Sequence, residues 1–575
     1  MPMADRKASF KKHAPSQWCR DLHDFSPSPQ FDLYADGGLP PPSRFELGPD
    51  GRRREDRVFF ARVPAGDAAA TTRWNYACAR ALTREVASDV DGVDGGKVLV
   101  KPNNTGFVGI FSHDPRLRAT MERNGVVLHD PDQQPFATQP AVVAGVVDAF
   151  LFDLGAAEVH VGENMLWSGG TPRAFWETGY AQYFSRPVYD GKVWFVDFYE
   201  GDDAPLAERP IPTAGMEVGA FRKVHPPKAL FDEGYDLFFL ASIAKVHNCS
   251  FYTLAAKNSS ISWNPRKRQG DVLPRWHAHG LPLDPFDAEF AGRLVGRGFD
   301  PKWEYEVLGV TEFGSPAKTG GQAGTATVTR VVVTDGLKST APVRTYPSYG
   351  GRVLQVDPHH HAGSNLLTSQ LGVIYLVTRS NGMFASVVKA LRESGTEVAC
   401  LVSGVVGQEG EGPLVYGSLR RGGFAAASRN FTALERCCVD AMFGSDEAGF
   451  AGFASRWNAA KAEALGFEET WPALEADSKV PWTLAHLGEL LSERWQAWDV
   501  PVELLDWTGP GSPPLEDATQ LHLARVGPPF RFTDSFYCSL PTWLELAYCE
   551  RGVREHFSDF VKKGVEVPLV PGVVR

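Results

Sequence analysis

The sequence predicts an α/β protein: an open, mostly parallel sheet flanked by helices, with a β-rich insertion and a C-terminal helical cap. Three observations point there. Short apolar runs at residues 97–101 (KVLVK), 158–162 (EVHVG) and 397–402 read as strands, the first of them buried. Between the first two, residues 139–154 carry Val142, Val143, Val146, Val147, Phe150, Leu151 and Leu154 at helical spacing, which gives a strand–crossover–helix–strand unit of a parallel sheet. From 303 to 356 the texture changes to alternation, as in TATVTRVVV and RVLQV, broken by the turn signals DG, PSYGG and GGQAG.

Taken in chain order, residues 1–70 are rich in Pro, Gly and charge and read as an extension laid on the surface. The α/β core spans 71–268 and 383–444. Within it, Thr138 and Gly155 bracket the helix 139–154 as cap signals, and further strands fit 193–198 and 235–241. A helix over 383–393, closed by Gly395, leads into the strand 397–402, and a helix over 430–443 follows. Residues 269–382 form the β-rich insertion. Residues 445–575, with seven tryptophans and helical stretches at 484–498 and 544–560, form the cap.

Composition limits the function classes. Against 69 acidic side chains stand 58 basic ones, a net charge of -11 that opposes attraction to nucleic acid or an anionic membrane. The start, MPMADRKASFKKHAPSQW, is polar, and no window approaches the roughly 20 apolar residues of a membrane helix. A soluble cytoplasmic protein is the expectation. The eight cysteines contain no C-x-x-C pair, which argues against a zinc ribbon or a cysteine-bound iron–sulfur cluster and for buried small hydrophobes in a reducing compartment. No G-x-G-x-x-G follows a strand, and neither G-x-x-x-x-G-K-[ST] nor G-x-S-x-G occurs, so the common NAD, ATP and α/β-hydrolase signatures are missing.

Polar residues directly after strands are the candidate site, because the carboxyl ends of parallel strands form the ligand crevice of such folds. The first group is Lys101, Asn103 and Asn104 in KPNNTG, which is also good turn chemistry. Glu163 in Gly162-Glu163-Asn164 is a candidate base, metal ligand or lysine partner. The densest group lies in FLASIAKVHNCSFYTLAAKN, where Lys245, His247, Lys257 and Asn258 follow an apolar run and would be costly to bury unpaired. Glu409 and Glu411 alternate with glycines in GQEGEGP and present carboxylates from a close-approaching backbone. Separately, His277 and His279 (WHAHG) and His359 and His361 (DPHHHAG) form two H-x-H pairs. In extended chain each pair shares a face and can chelate a transition metal, with Asp284 or Asp357 near; the same triplet also reads as a solvated loop.

Four of these segments, at 97–106, 138–163, 236–258 and 397–444, resemble in order the domain-of-unknown-function family DUF362. The resemblance covers K-P-N after the first strand, the Thr138-Gln139-Pro140 that opens the next helix, K-x-H followed by K-N, an E-G-x-G-P turn, and an acid, Asp440, in the helix after the next strand. The family's chemistry is largely unassigned, so the resemblance implies a site before a reaction. Relatives with iron–sulfur motifs exist in that family, and this chain lacks such a motif.

The expectation is an enzyme for a small anionic metabolite, suited to a specialised biosynthetic step. Lys101, Asn103, Asn104, Thr138, Glu163, Lys257 and Asn258 would bind the substrate. Lys245, His247, Glu409 and Glu411 would move protons, and a transition metal at the H-x-H pairs would turn the chemistry toward redox. The alternative is a non-catalytic metal- or partner-binding protein. The sharpest expectation is geometric: Lys101, Lys245, His247, Lys257 and one of Glu409 and Glu411 should meet in one crevice.

Overall fold

Strand-forming runs of Val, Phe, Leu and Ala give one ten-stranded sheet. The computed structural model describes most of residues 70–259 and 383–443, together with 7–19, 57–64, 344–347, 353–356, short stretches within 487–506, and residue 530. His277, His279, His359, His361 and Glu411, most of the insertion and most of the cap lie outside the described residues.

The strands are β1 (Val58–Arg62), β2 (Lys97–Pro102), β3 (Glu158–Glu163), β4 (Val193–Asp197), β5 (Leu237–His247), β6 (Phe251–Thr253), β7 (Glu397–Gly410), β8 (Gly417–Arg420), β9 (Phe424–Ser428) and β10 (Val502–Asp506). Their spatial order is β10-β1-β9-β7-β5-β2-β3-β4, with β8 added to β7 and β6 to β5. β7, β5, β2, β3 and β4 are parallel. β9 runs against both β7 and β1, while β1 and β10 are parallel to each other.

The order in which the chain visits these strands positions the site. From β2 it winds outward to β3 and β4, then returns past β2 to β5 and winds outward the other way to β7. The direction reverses between β2 and β5. In open α/β sheets that reversal opens a crevice at the carboxyl ends of the two strands, where ligands bind.

Both faces of the sheet are covered, which is why its central strands read as continuous apolar runs. One face packs Val98, Val100, Val159, Val161, Leu237 and Phe239 beneath the helices Thr71–Ala87 and Pro140–Asp148. The other packs Leu99, Phe238, Leu240, Val398, Cys400 and Val402 against Met383–Glu393 and Phe431–Phe443. Cys78, Cys400, Cys437 and Cys438 are buried free thiols, as expected of small hydrophobes, and burial raises each of their pKa values. Among the described residues no helix is long and apolar enough to cross a membrane.

Several expected boundaries move. Val58–Arg62, inside the segment read as a surface extension, is a strand between β9 and β10, and Phe10 and Trp18 are also buried. Val502–Asp506, inside the segment read as a helical cap, closes the sheet beside β1. Leu487, Leu490, Leu491 and Phe530 join the same core. The helix over 139–154 is α-helical only over Pro140–Asp148, continues as a π turn over Ala149–Asp153, and ends at Gly155 with φ +77°. Within the insertion, Arg344–Pro347 and Val353–Val356 pair in antiparallel register.

The largest difference is at β7, which runs through Gly410 instead of stopping near Val402. Gly407, Gln408 and Glu409 are therefore strand residues hydrogen-bonded to β8, not a turn. A Cβ at Gly407 would lie 2.4 Å from the Ala244 carbonyl oxygen, so this glycine serves a close approach of β7 to β5.

Candidate functional site

Lys101 is the last residue but one of β2 and Lys245 nears the end of β5, so the two lysines flank the crevice where the winding reverses. Lys101 Nζ lies 2.9 Å from Glu163 Oε1 at the end of β3, 3.0 Å from Asn258 Oδ1 and 3.1 Å from the Pro102 carbonyl oxygen. Asn258 in turn donates to Ser242 Oγ at 2.9 Å. Glu163 accepts from the backbone of Asn104 at 3.1 Å and of Asn164 at 2.9 Å. On the other side of the crevice, Lys245 Nζ donates to Asn103 Oδ1 at 2.7 Å and to the Phe136 carbonyl at 3.3 Å.

Thr138 joins the two halves. Its hydroxyl donates to the Ala241 carbonyl of β5 at 2.8 Å and accepts from the Asn103 N–H at 2.8 Å. It is therefore a crosslink between two strands and not the cap of the following helix, whose N-cap position is Gln139. Lys101, Asn103, Asn104, Thr138, Glu163, Lys245 and Asn258 thus belong to one hydrogen-bonded cluster. Lys257, half-buried on the short helix Ala255–Asn258, acts on Lys245 through its charge.

Lys245 has no solvent exposure, and its ammonium is driven well below the ordinary lysine range. Burial is the main cause, the positive charge of Lys257 the next, and Lys101 adds to it; Glu163 opposes them. A lysine held this way is a candidate base or nucleophile.

The acids of the glycine-rich segment play a different part. Gln408, not Glu409, stands beside Lys245 in the β5–β7 register. Alternation turns Glu409 to the opposite face, and its carboxylate lies 3.9 Å from Arg420 Nε. Glu163 is accordingly the carboxylate of the described cluster. His247 is the last residue of β5, two positions beyond Lys245. Asp440 is engaged with Arg436 at 2.8 Å on its own helix. Among the described residues no group of three His, Cys, Asp or Glu side chains could hold a metal.

Two residues of the site carry no local signal in the sequence. Tyr180 is buried with its hydroxyl on the Thr138 carbonyl and 3.1 Å from Asn104 Oδ1. Glu435, on the helix Phe431–Phe443, accepts the Ala256 N–H at 2.8 Å and so fixes the turn that carries Lys257 and Asn258. Burial pushes the Glu435 carboxyl up to about 8, with the Ala256 and Ala255 N–H groups opposing. Glu435, not Asp440, is the acid by which that helix reaches the site.

A profile of a protein family described only as a domain of unknown function matches residues 124–440, just over half of the chain. No curated protein and no solved structure matches it.

Proposed function

As the chain belongs to that family, DUF362, whose description names no reaction, we propose a function from the site itself. The chain is an enzyme that binds a small anionic metabolite at the β2–β5 crevice and moves a proton through Lys245. The observation that carries this reading is the enclosed amine of Lys245, lowered first by burial and then by the charge of Lys257, with Glu163 opposing and Lys101 adding. An arriving carboxylate or phosphate brings negative charge to these lysines. It also removes part of the repulsion that lowers Lys245, so the amine becomes a stronger base when substrate is in place. The Asn103 and Phe136 oxygens hold Nζ in one position for the transfer. His247, Glu409 and Glu411 remain candidates for the second proton step, beside Glu163, the carboxylate that acts on Lys245.

The experiment is hydrogen exchange of substrate carbons. A panel of small carboxylates and phosphate esters is incubated with the protein in D2O, and loss of C–H signals is followed by proton NMR. At least one member is expected to exchange, and Lys245→Met should slow that exchange by about 100-fold or more. Exchange unchanged in a folded Lys245→Met variant would remove Lys245 from the chemistry. Binding of panel members with no exchange of any would favour the non-catalytic binding protein.

A further inference from the structure

The hydrogen-bonding capacity of the cluster divides it into a scaffold and a ligand-facing part. The three protons of the Lys101 ammonium are engaged by Glu163, Asn258 and the Pro102 carbonyl. Glu163 is engaged by Lys101 and by two backbone N–H groups. These side chains hold the crevice in shape. Asn104 differs: its Nδ2 is enclosed and, among the described residues, has no hydrogen-bond partner.

A proton count at Tyr180 locates the cause. The phenol has one proton, and its oxygen contacts both the Thr138 carbonyl and Asn104 Oδ1. A backbone carbonyl can only accept, so the phenol proton goes to Thr138. The contact with Asn104 is then between two acceptors unless the amide supplies the hydrogen. The two ends of a side-chain amide are nearly isosteric, and the surrounding network decides which is nitrogen.

We infer that Asn104 turns its NH2 toward Tyr180 and its carbonyl oxygen into the crevice, and that it selects substrates bearing a hydroxyl or amino group beside their anionic group. This turn gives the buried N–H a partner and leaves the carbonyl oxygen as an enclosed acceptor open to a donor. The unturned amide sets two acceptors against each other and leaves its donor unsatisfied, so the turned amide is the stable arrangement. The neighbouring Asn164 Oδ1 is a second enclosed acceptor without a partner among the described residues. Acceptors next to a cationic group match a 2-hydroxy or 2-amino acid, or a phosphate ester with a vicinal hydroxyl. The inference rests on the proposed anion site and adds the donor requirement.

The test compares lactate with propionate, which share the carboxylate and differ by one hydroxyl, by isothermal titration of the full chain. Lactate, as one enantiomer or both, is expected to bind about 10-fold more tightly, the worth of one well-placed hydrogen bond. Asn104→Leu should abolish that ratio. Tyr180→Phe, which frees the amide to turn back, should reduce it. The Tyr180→Phe result separates orientation of the amide from loss of the residue, and circular dichroism confirms the fold of both variants. Equal affinity of wild-type protein for lactate and propionate would overturn the inference and leave the anion site standing. Binding of neither, with thermal stability unmoved by either anion, would overturn the anion site and the inference together.

Discussion

The strands β2 and β3 each carry a lysine or glutamate at both ends, and the two ends behave differently. At the amino end, Lys97 lies 3.3 Å from Glu158 and 3.2 Å from Glu233, while Lys12 lies 2.9 Å from Glu158. At the carboxyl end, Lys101 lies 2.9 Å from Glu163. The Lys97 and Glu158 side chains are 24% and 21% exposed, against 5% and 5% for Lys101 and Glu163. Burial alone would lower Lys97, but its bonds to Glu233 and Glu158 outweigh this and raise it. Lys245, at the carboxyl end, is lowered instead. His160, near the amino end, is held neutral mainly by burial, its pKa lowered to about 4. Matched charges close to water make a stabilising surface network; the enclosed charges at the other end of the same strands, with Lys245 lowered among them, make up the candidate site.

Breaking the enclosed pair should show the contrast most strongly. Lys101→Met or Glu163→Gln leaves one buried charge without its partner, and either should cost about 3–5 kcal/mol in chemical denaturation. A loss below roughly 1 kcal/mol would place the pair in the same class as Lys97–Glu158. Lys245→Met should act in the opposite direction. The unfolded chain binds the Lys245 proton at the ordinary lysine pKa and the native state binds it less tightly, so native stability rises with pH between the two values. Removing the amine should therefore stabilise the protein at pH 7 by about 1–4 kcal/mol, with the margin shrinking toward pH 10. A variant that is both less active and more stable fits a site kept for function.

Glu435→Gln sharpens the comparison from the side of the supporting helix. The Glu435 carboxyl titrates at about 8 in the native state against an ordinary 4.5, so the native state binds more protons in that interval. Its contribution is fully present below about 4.5 and is lost as pH rises through about 8. Asp132, raised to about 7 mainly by burial, adds a contribution of the same sign. Glutamine keeps an acceptor for the Ala256 N–H but does not titrate, so the variant's stability should fall less steeply by about 1 kcal/mol per pH unit between pH 6 and 7. Parallel wild-type and variant curves would assign the slope elsewhere. The smallest effect belongs to Lys97→Met: below about 1 kcal/mol, and smaller still on raising salt above 0.15 M.

The central strands were legible because a sheet covered on both faces demands apolar runs, and Lys101, Glu163 and Lys245 stood out as charged residues on or just after such runs. Their convergence depends on β2 and β5 being neighbours, which the order of winding decides and no local pattern contains. Glu409 was misplaced for a physical reason: the glycines around it look like turn chemistry, whereas Gly407 serves a strand that approaches Ala244 too closely for a side chain. Tyr180 and Glu435 were missed because each acts on backbone groups distant in sequence, the Thr138 carbonyl and the Ala256 N–H. β1 and β10 are short runs in polar surroundings and become strands only through each other and β9.

The pairing of β1 with β10 sets residue 58 beside residue 502. During synthesis the first of these leaves the ribosome well before the second exists; at roughly 5–20 residues per second the interval is on the order of 20 to 90 seconds. Throughout that interval one side of β1 presents free N–H and C=O groups to anything able to add a strand. A chain cut after residue 443 would keep every described residue of the lysine crevice and still carry this open edge permanently. Such a truncation is expected to aggregate during production at 37 °C, to gain nothing from slower synthesis at low temperature, and to be protected by co-expression of the missing segment. The late-made strand is in this sense a built-in seal for an early-made one.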